Sequence, residues 1–303
     1  MISDIELGVT LYSWPQFGPE LEPLLKFVKQ ADEFGFKYLH LLDHVVGIVA
    51  ERHTDELHTP YTDKTNIREC FTLMAYLSAL TSNLTFVTGI LGLPQRQTAL
   101  VAKQAAEIDI LSGGRINLGI GVGYNHLEFA AMGSDFKTRG KRFEEQVEVL
   151  RRLWTENEVT YKGEFHEFVD VSLSPRPIQR PIPLIFGMGR TDQPIAPDAV
   201  LKRAGRLADG WYPLFAPDHE QARATVAKVH DAARDAGRDP ARLTMIMNLD
   251  ISDPKDHGLV DEIKRRRDFG AHRVSLNLVG ATSAQQQLAD LLALQDTLQA
   301  AGD

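Results

Sequence analysis

Short apolar strand-like runs and amphipathic helical runs take turns along the whole chain, and that alternation limits the fold more than any single motif does. "IELGVTLY" precedes "PELEPLLKFVKQADEFG", and "KYLHLL" precedes, after a long polar loop, "IRECFTLMAYLSALT". "LTFVTGIL" leads to "TALVAKQAAEIDILS", and "RINLGIGVG" to "RGKRFEEQVEVLRRLWTE". After Trp154 the rhythm breaks at "NEVTYKGEFHEFVDVSLSPRPIQRP". Alternating runs around Lys162-Gly163 predict a β-hairpin there, and the prolines beyond it exclude a regular element. The rhythm resumes with "IPLIFG" and "APDAVLKRAGRLA", "DGWYPL" and "DHEQARATVAKVHDAARDAG", "RLTMIMNL" and "LVDEIKRRRDFG", then "HRVSLNLV" and "SAQQQLADLLALQDTLQAAG". Eight βα units with doubly buried strands predict an α/β protein: a single (β/α)8 TIM barrel over residues 1–303, with a hairpin and loop insertion between the fourth and fifth units. An open doubly wound sheet fits this count less well.

In such barrels, reactive groups gather where the strands end. The second strand runs through "YLHLL" straight into Asp43-His44, which places a carboxylate and an imidazole at that lip. An adjacent carboxylate can fix an imidazole tautomer or bond a ligand, and an imidazole suits proton transfer near neutral pH. The loop that follows, "VVGIVAERHTDELHTPYTDKTNI", is longer than a plain connection and is expected to cover the mouth as a lid. His53 and His58 share that loop, but their spacing from His44 gives no helical His-x3-His pair and no thiolates accompany them, so no metal site is expected. Trp14, Phe17, His53, His58, Tyr61 and Tyr124 are candidates to line a mostly apolar pocket for a small molecule.

Glycines mark three further strand ends. Gly89 interrupts the β-branched run "TFVTGILGLP" and predicts a bulge, or room for a flat ring. Gly119, Gly121 and Gly123 alternate onto one face, a spacing that is not the GxGxxG of a dinucleotide fold. Gly187, Met188, Gly189 and Arg190 precede a helix, where free backbone N–H groups and a guanidinium would suit a phosphate. Ser112, Gly113 and Gly114 are read as a helix end, and Trp211 and Tyr212 as barrel packing.

Composition narrows the partners. With 43% hydrophobic and 24% charged residues in 303, the chain can bury a sizeable core. No stretch reaches the ~18 to 20 apolar residues of a membrane span, and no leader-like N-terminus is seen, so a cytoplasmic protein without membrane contacts is expected. A formal charge of −8 disfavours a nucleic-acid surface. The single cysteine, Cys70, cannot form an internal disulfide and is read as a small buried hydrophobe.

Taken in order, "LLDHVVG", "ALVAKQAAEIDILSGGRINLGIGVGYNHLEFAAMG", "RGKRFEEQVEVLRRLWTE", "PRPIQRPIPLIFGMG" and "RLADGWYP" resemble the luciferase-like monooxygenase superfamily, especially its coenzyme F420-dependent oxidoreductases. The resemblance spans most of residues 5–215. It implies a barrel holding a deazaflavin or a flavin across the strand ends. A bulge in the third strand, often with a non-prolyl cis peptide, would support the ring; here it would fall at Thr88-Gly89 or Gly89-Ile90. It further implies His44 as the proton-transfer group, Asp43 near the ring, cofactor contacts from Thr88, Gly89, Ile90, Gly121, Gly123 and Tyr124, and phosphate contacts from Gly187 to Arg190. The segment "GMGRTDQPIAPDAV" is longer and richer in proline than the family's compact phosphate turn, and Tyr124 stands where some sugar-phosphate dehydrogenases of the family carry an acid. The implied activity is hydride transfer between coenzyme F420 and a small organic substrate, in a homodimer. The alternatives are an FMN-dependent monooxygenase served by a flavin reductase, and a non-catalytic barrel that carries or senses a flavin.

Overall fold

In the computed structural model, residues 4–11, 21–53, 59, 61–190 and 192–300 are described. Eight parallel strand positions close on themselves: β1 (Glu6–Leu11), β2 (Tyr38–Leu41), β3 (Thr85–Thr88) with its short continuation β4 (Leu91–Gly92), and β5 (Ile116–Gly121). β8 (Leu184–Met188), β9 (Gly210–Pro213), β10 (Thr244–Ile251) and β11 (Arg273–Leu278) complete the ring, and β11 pairs with β1. The expected (β/α)8 barrel is therefore present. The antiparallel hairpin β6 (Val159–Lys162) and β7 (Glu167–Val171) lies between the fourth and fifth barrel positions, at the sequence the alternation marked.

The helices α1 (Glu22–Phe34), α2 (Cys70–Ser78), α3 (Thr98–Ser112), α4 (His126–Ala131), α5 (Arg139–Thr155), α6 (Asp198–Leu207), α7 (Ala222–Asp235), α8 (Leu259–Phe269) and α9 (Ala284–Ala300) fill the connections. Their ends follow local chemistry. α1 and α3 stop at Gly35 and Gly113, which take the left-handed conformation at φ 96° and 69°. α2 begins at Cys70, three residues inside the helical run read from sequence, because the Glu69 side chain accepts the N–H groups of Phe71 and Thr72.

Alternation along the strands divides the core. Leu39, Leu41 and Phe86 point outward into the main core with the helices, where Trp154 is also buried. Tyr38, Val87, Ile185, Tyr212 and Ile246 make a separate apolar cluster inside the barrel. Above it the interior is polar: Thr10 Oγ1 lies 2.9 Å from Ser275 Oγ and donates to Asn277 Oδ1, while Asn277 donates to Asn248 and Asp250. The mouth of the barrel therefore has hydrogen-bonding walls, as a ligand site requires.

One carboxylate ties α1 to the start of β3. Asp32 accepts the backbone N–H of Ser82 at 2.9 Å, of Asn83 at 2.8 Å and of Leu84 at 2.9 Å. Asp32→Ala should strand these donors and lower folding stability by about 2–3 kcal/mol, measured as a shift in the urea midpoint.

Candidate active site

β2 ends at Leu41, and two residues later the chain presents Asp43 and His44 to different partners. Asp43 is buried against Arg96, whose Nη2 lies 2.8 Å and 3.0 Å from its two carboxylate oxygens. The Cys70 thiol at the head of α2 also hydrogen-bonds to Asp43. Burial raises the Asp43 carboxyl above its ordinary range, with Arg96, Cys70 and His44 pulling in the opposite direction. Cys70 is buried, as the sequence suggested, but it is also a hydrogen-bond donor to the candidate site.

His44 faces a second carboxylate. Its Nδ1 lies 3.1 Å from Oε2 of Glu128, a side chain buried to 3% exposure. Oε1 of the same carboxylate accepts the Val45 N–H at 2.5 Å, and Gln95 Nε2 donates to Oε2 at 3.1 Å. Burial alone would raise Glu128, but the bonds from His44, Val45 and Gln95 outweigh it and hold the carboxyl below its usual range. The other imidazole nitrogen, Nε2, lies 3.4 Å from the Tyr124 hydroxyl, which is 2.7 Å from Thr59 Oγ1 in the long loop after β2. The Tyr61 ring packs against the His44 ring, tilted by 39° with centroids 4.8 Å apart. Burial pushes the Tyr61 hydroxyl up to about 12, reinforced by Tyr124, and burial likewise raises Tyr124 against the Thr59 bond.

The sequence brings Glu128 here through a capping signature. Asn125 caps α4 by accepting the N–H groups of Leu127 and Glu128, which starts the helix with Glu128 in its first turn. Gln95 and Arg96 come from the turn after β4, and that turn is held by Gln146 of α5, whose Nε2 donates to the carbonyls of Leu93 and Arg96 and to Thr98. Glu128, Gln95, Arg96 and the donor role of Cys70 were not singled out in the sequence. The pattern Asn125-x-x-Glu128 marks a helix start, but no local spacing links it to residues eighty positions earlier.

The bulge predicted at Gly89 is present, and the Gly89–Ile90 peptide bond is cis. The physical reason for the glycines differs from the expectation of open space. A Cβ on Gly89 would stand 2.2 Å from the His40 ring, and one on Gly187 would stand 2.5 Å from the Ile90 side chain. Gly121 also abuts Ile90, and Gly119 abuts the Thr88 carbonyl. The room these glycines leave is filled by the protein itself. His40 is buried beneath the bulge and tilted over Tyr212, and burial lowers it to about 4, so it is neutral at ordinary pH.

The remaining candidates separate. Gly123 and Gly189 take left-handed φ of 73° and 87°, next to Phe129 and the Pro194 carbonyl respectively. Met188 is buried at the end of β8. Arg190 is bound by Asp192 and its N–H by the Gln193 carbonyl, so the guanidinium expected to be available for phosphate already has an anionic partner. His53 ends the short turn Ala50–Arg52 and is half-buried; Tyr61 is the loop residue whose ring packs tilted against His44. Trp14, Phe17 and His58 lie outside the described residues. Among the described residues no group of three or more His, Cys, Asp or Glu side chains could hold a metal, and no helix is long and apolar enough to cross a membrane.

A barrel with an Asp-His pair at the end of its second strand and a bulged third strand defines a class, and sequence comparison identifies it. The luciferase-like monooxygenase family matches residues 6–254, and the chain belongs to that family. An uncharacterized protein of Mycobacterium tuberculosis is 34% identical over 218 residues, 72% of this chain and 70% of the relative. An FMNH2-dependent dimethylsulfone monooxygenase of Pseudomonas putida is 36% identical over 150 residues, 48% of this chain and 39% of the relative. An F420-dependent glucose-6-phosphate dehydrogenase of Amycolatopsis mediterranei is 30% identical over 200 residues, 65% of this chain and 54% of the relative. The fold also matches the crystal structure of an F420-dependent secondary alcohol dehydrogenase, with a TM-score of 0.75 and 20% identity over 99% of this chain and 100% of that one.

Because burial already raises Asp43, losing the guanidinium should raise it further, so the folded variant would bind a proton that the unfolded chain releases. Stability of an Arg96→Met variant should therefore fall as pH rises above the ordinary carboxylate range. The expected cost is about 3–5 kcal/mol near about pH 8 and markedly less near about pH 5, read from urea denaturation at the two pH values.

Proposed function

We propose that the chain is an oxidoreductase that transfers a hydride between coenzyme F420 and a small organic substrate, with His44 moving the accompanying proton. The observation that carries this reading is the His44 imidazole, braced at Nδ1 by Glu128 while Nε2 lies beside Tyr124 at the strand ends. When bound, the deazaflavin supplies the two-electron chemistry; the protein supplies orientation and proton handling.

The residues present suit such a group. His44, Tyr61 and Tyr124 make an aromatic, hydrogen-bonding wall near the mouth, and Thr88, Gly89 and Ile90 would support a flat ring from the third strand. Asp43, pinned by Arg96, would fix the strand end beside the ring. Gly121 and Gly123 would border it from β5, and the turn Gly187–Arg190 would take the phosphate end, with Arg190 exchanging Asp192 for the phosphate. No step requires a second subunit, although a homodimer is part of the same proposal.

A second reading, an FMN-dependent monooxygenase supplied by a reductase, is favoured by the likeness to the Pseudomonas putida enzyme. The two readings differ in what the barrel binds and in what oxygen does. Titration of the purified protein with each cofactor should show tighter binding of coenzyme F420 than of FMN, and turnover should proceed without oxygen. Preference for FMN, with oxygen-dependent turnover, would select the second reading. On the first, His44→Ala should leave cofactor affinity nearly intact and lower turnover by roughly 10²- to 10⁴-fold; a fully active variant would remove the proton-transfer role.

A further inference from the structure

We propose that Glu128 is a positioning residue that fixes the tautomer of His44, placing the proton on Nδ1 and turning the lone pair of Nε2 toward Tyr124. The consequence for catalysis rests on the reading of His44 given above; the tautomer itself does not.

The argument starts from what surrounds the carboxylate. Among the described residues, each hydrogen-bond partner it has besides His44 offers a hydrogen: the Val45 N–H at 2.5 Å and the Val46 N–H at 3.4 Å on Oε1, and the Gln95 side-chain amide at 3.1 Å on Oε2. With these N–H groups aimed at it the carboxylate is ionised: burial alone would raise its pKa, but the bonds from His44, Val45 and Gln95 outweigh burial and hold it below the ordinary range. An ionised carboxylate can only accept, so the His44 Nδ1 at 3.1 Å must be the donor. In the neutral imidazole that leaves Nε2 unprotonated. An unprotonated Nε2 can accept from the Tyr124 hydroxyl 3.4 Å away, and Tyr124 can in turn accept from Thr59, so a single direction from Thr59 through Tyr124 and His44 to Glu128 satisfies all three contacts. The same carboxylate anchors the backbone immediately after His44 through Val45, so ring orientation and chain path are fixed together.

This arrangement makes a specific demand on the isosteric amide. In Glu128→Gln the amide oxygen must face the two backbone N–H groups, which cannot turn away, and the NH2 group must then face His44 Nδ1. That nitrogen can accept only if its proton moves to Nε2. The Gln95 amide can turn over to offer its oxygen to the new NH2 group. A substitution that preserves size and most contacts should thus invert the imidazole, converting the acceptor at Nε2 into a donor.

The test uses the protein without cofactor, labelled with 15N-histidine, with the His44 signals identified by their loss in His44→Gln. Long-range proton–nitrogen correlation spectra at a pH where the ring is neutral should show the proton on Nδ1 in the wild type and on Nε2 in Glu128→Gln. A wild-type proton on Nε2 would overturn the proposal without any variant, and an unchanged tautomer in a folded Glu128→Gln protein would overturn it too. An inverted tautomer alongside a fully active His44→Ala enzyme would leave this inference standing and remove only the catalytic reading of His44.

Discussion

β5 and β3 lie so close together that a Cβ on Gly119 would stand 1.8 Å from the Thr88 carbonyl oxygen. No other residue fits there without moving one of the two strands. β3 pairs with β5 only at Phe86 and Val87, leaves it at the Gly89 bulge, and returns as β4 opposite Ile120 and Gly121. Ile90 packs into the space left by Gly121 and Gly187, which holds the bulge on the barrel side. Everything downstream depends on that detour. It delivers Leu93–Gln95 and Arg96 to the mouth, where consecutive residues reach different carboxylates: Gln95 to Glu128 and Arg96 to Asp43.

Those two carboxylates are the electrostatic frame of the site. Both are buried, and burial drives both upward; they differ in how many donors answer it. Glu128 collects donors from the His44 ring, two backbone N–H groups and an amide, and ends below the usual range. Asp43 has the single guanidinium nitrogen of Arg96 and a weakly donating thiol, and ends above it. Adjacent positions in the sequence, Asp43 and His44, are thereby given separate tasks. One is locked into an ion pair at the strand end, and the other presents a ring nitrogen to a tyrosine.

The hairpin insertion is coupled to this frame. His166 of the β6–β7 turn lies 2.7 Å from Glu145 of α5 and 2.6 Å from Thr98, and Thr98 in turn accepts from Gln146, which holds the turn carrying Arg96. A segment that looked like an interruption of the barrel pattern is therefore bonded to the elements that brace Asp43. Buried networks of this kind hold a site rigid to the extent that their members are paired; here Gln146 Oε1 and Arg96 Nε are buried without a partner among the described residues, while the bonds that join the hairpin, α5 and the turn are all made.

Periodicity alone made the barrel legible, because strand and helix differ in repeat and each repeat leaves its mark on which residues are apolar. The hairpin, the helix-ending glycines and the place of Asp43-His44 at a strand end were legible for the same local reasons. The glycines at 89, 119, 121 and 187 were visible as unusual, but what fills the space beside them was not, since His40, Thr88 and Ile90 reach them only across neighbouring strands. Likewise Glu128, Gln95, Arg96 and the Cys70 thiol carry no local signal of their partners. A hydrogen bond across the barrel mouth joins residues separated by tens of positions, and its existence depends on closure of the ring. The sequence by itself determined the repeat, the strand ends and therefore where reactive groups must gather. Only the tertiary structure decided which donors meet which carboxylate, because that choice is made by the register between strands and by the turn after β4, neither of which has a repeat to be read.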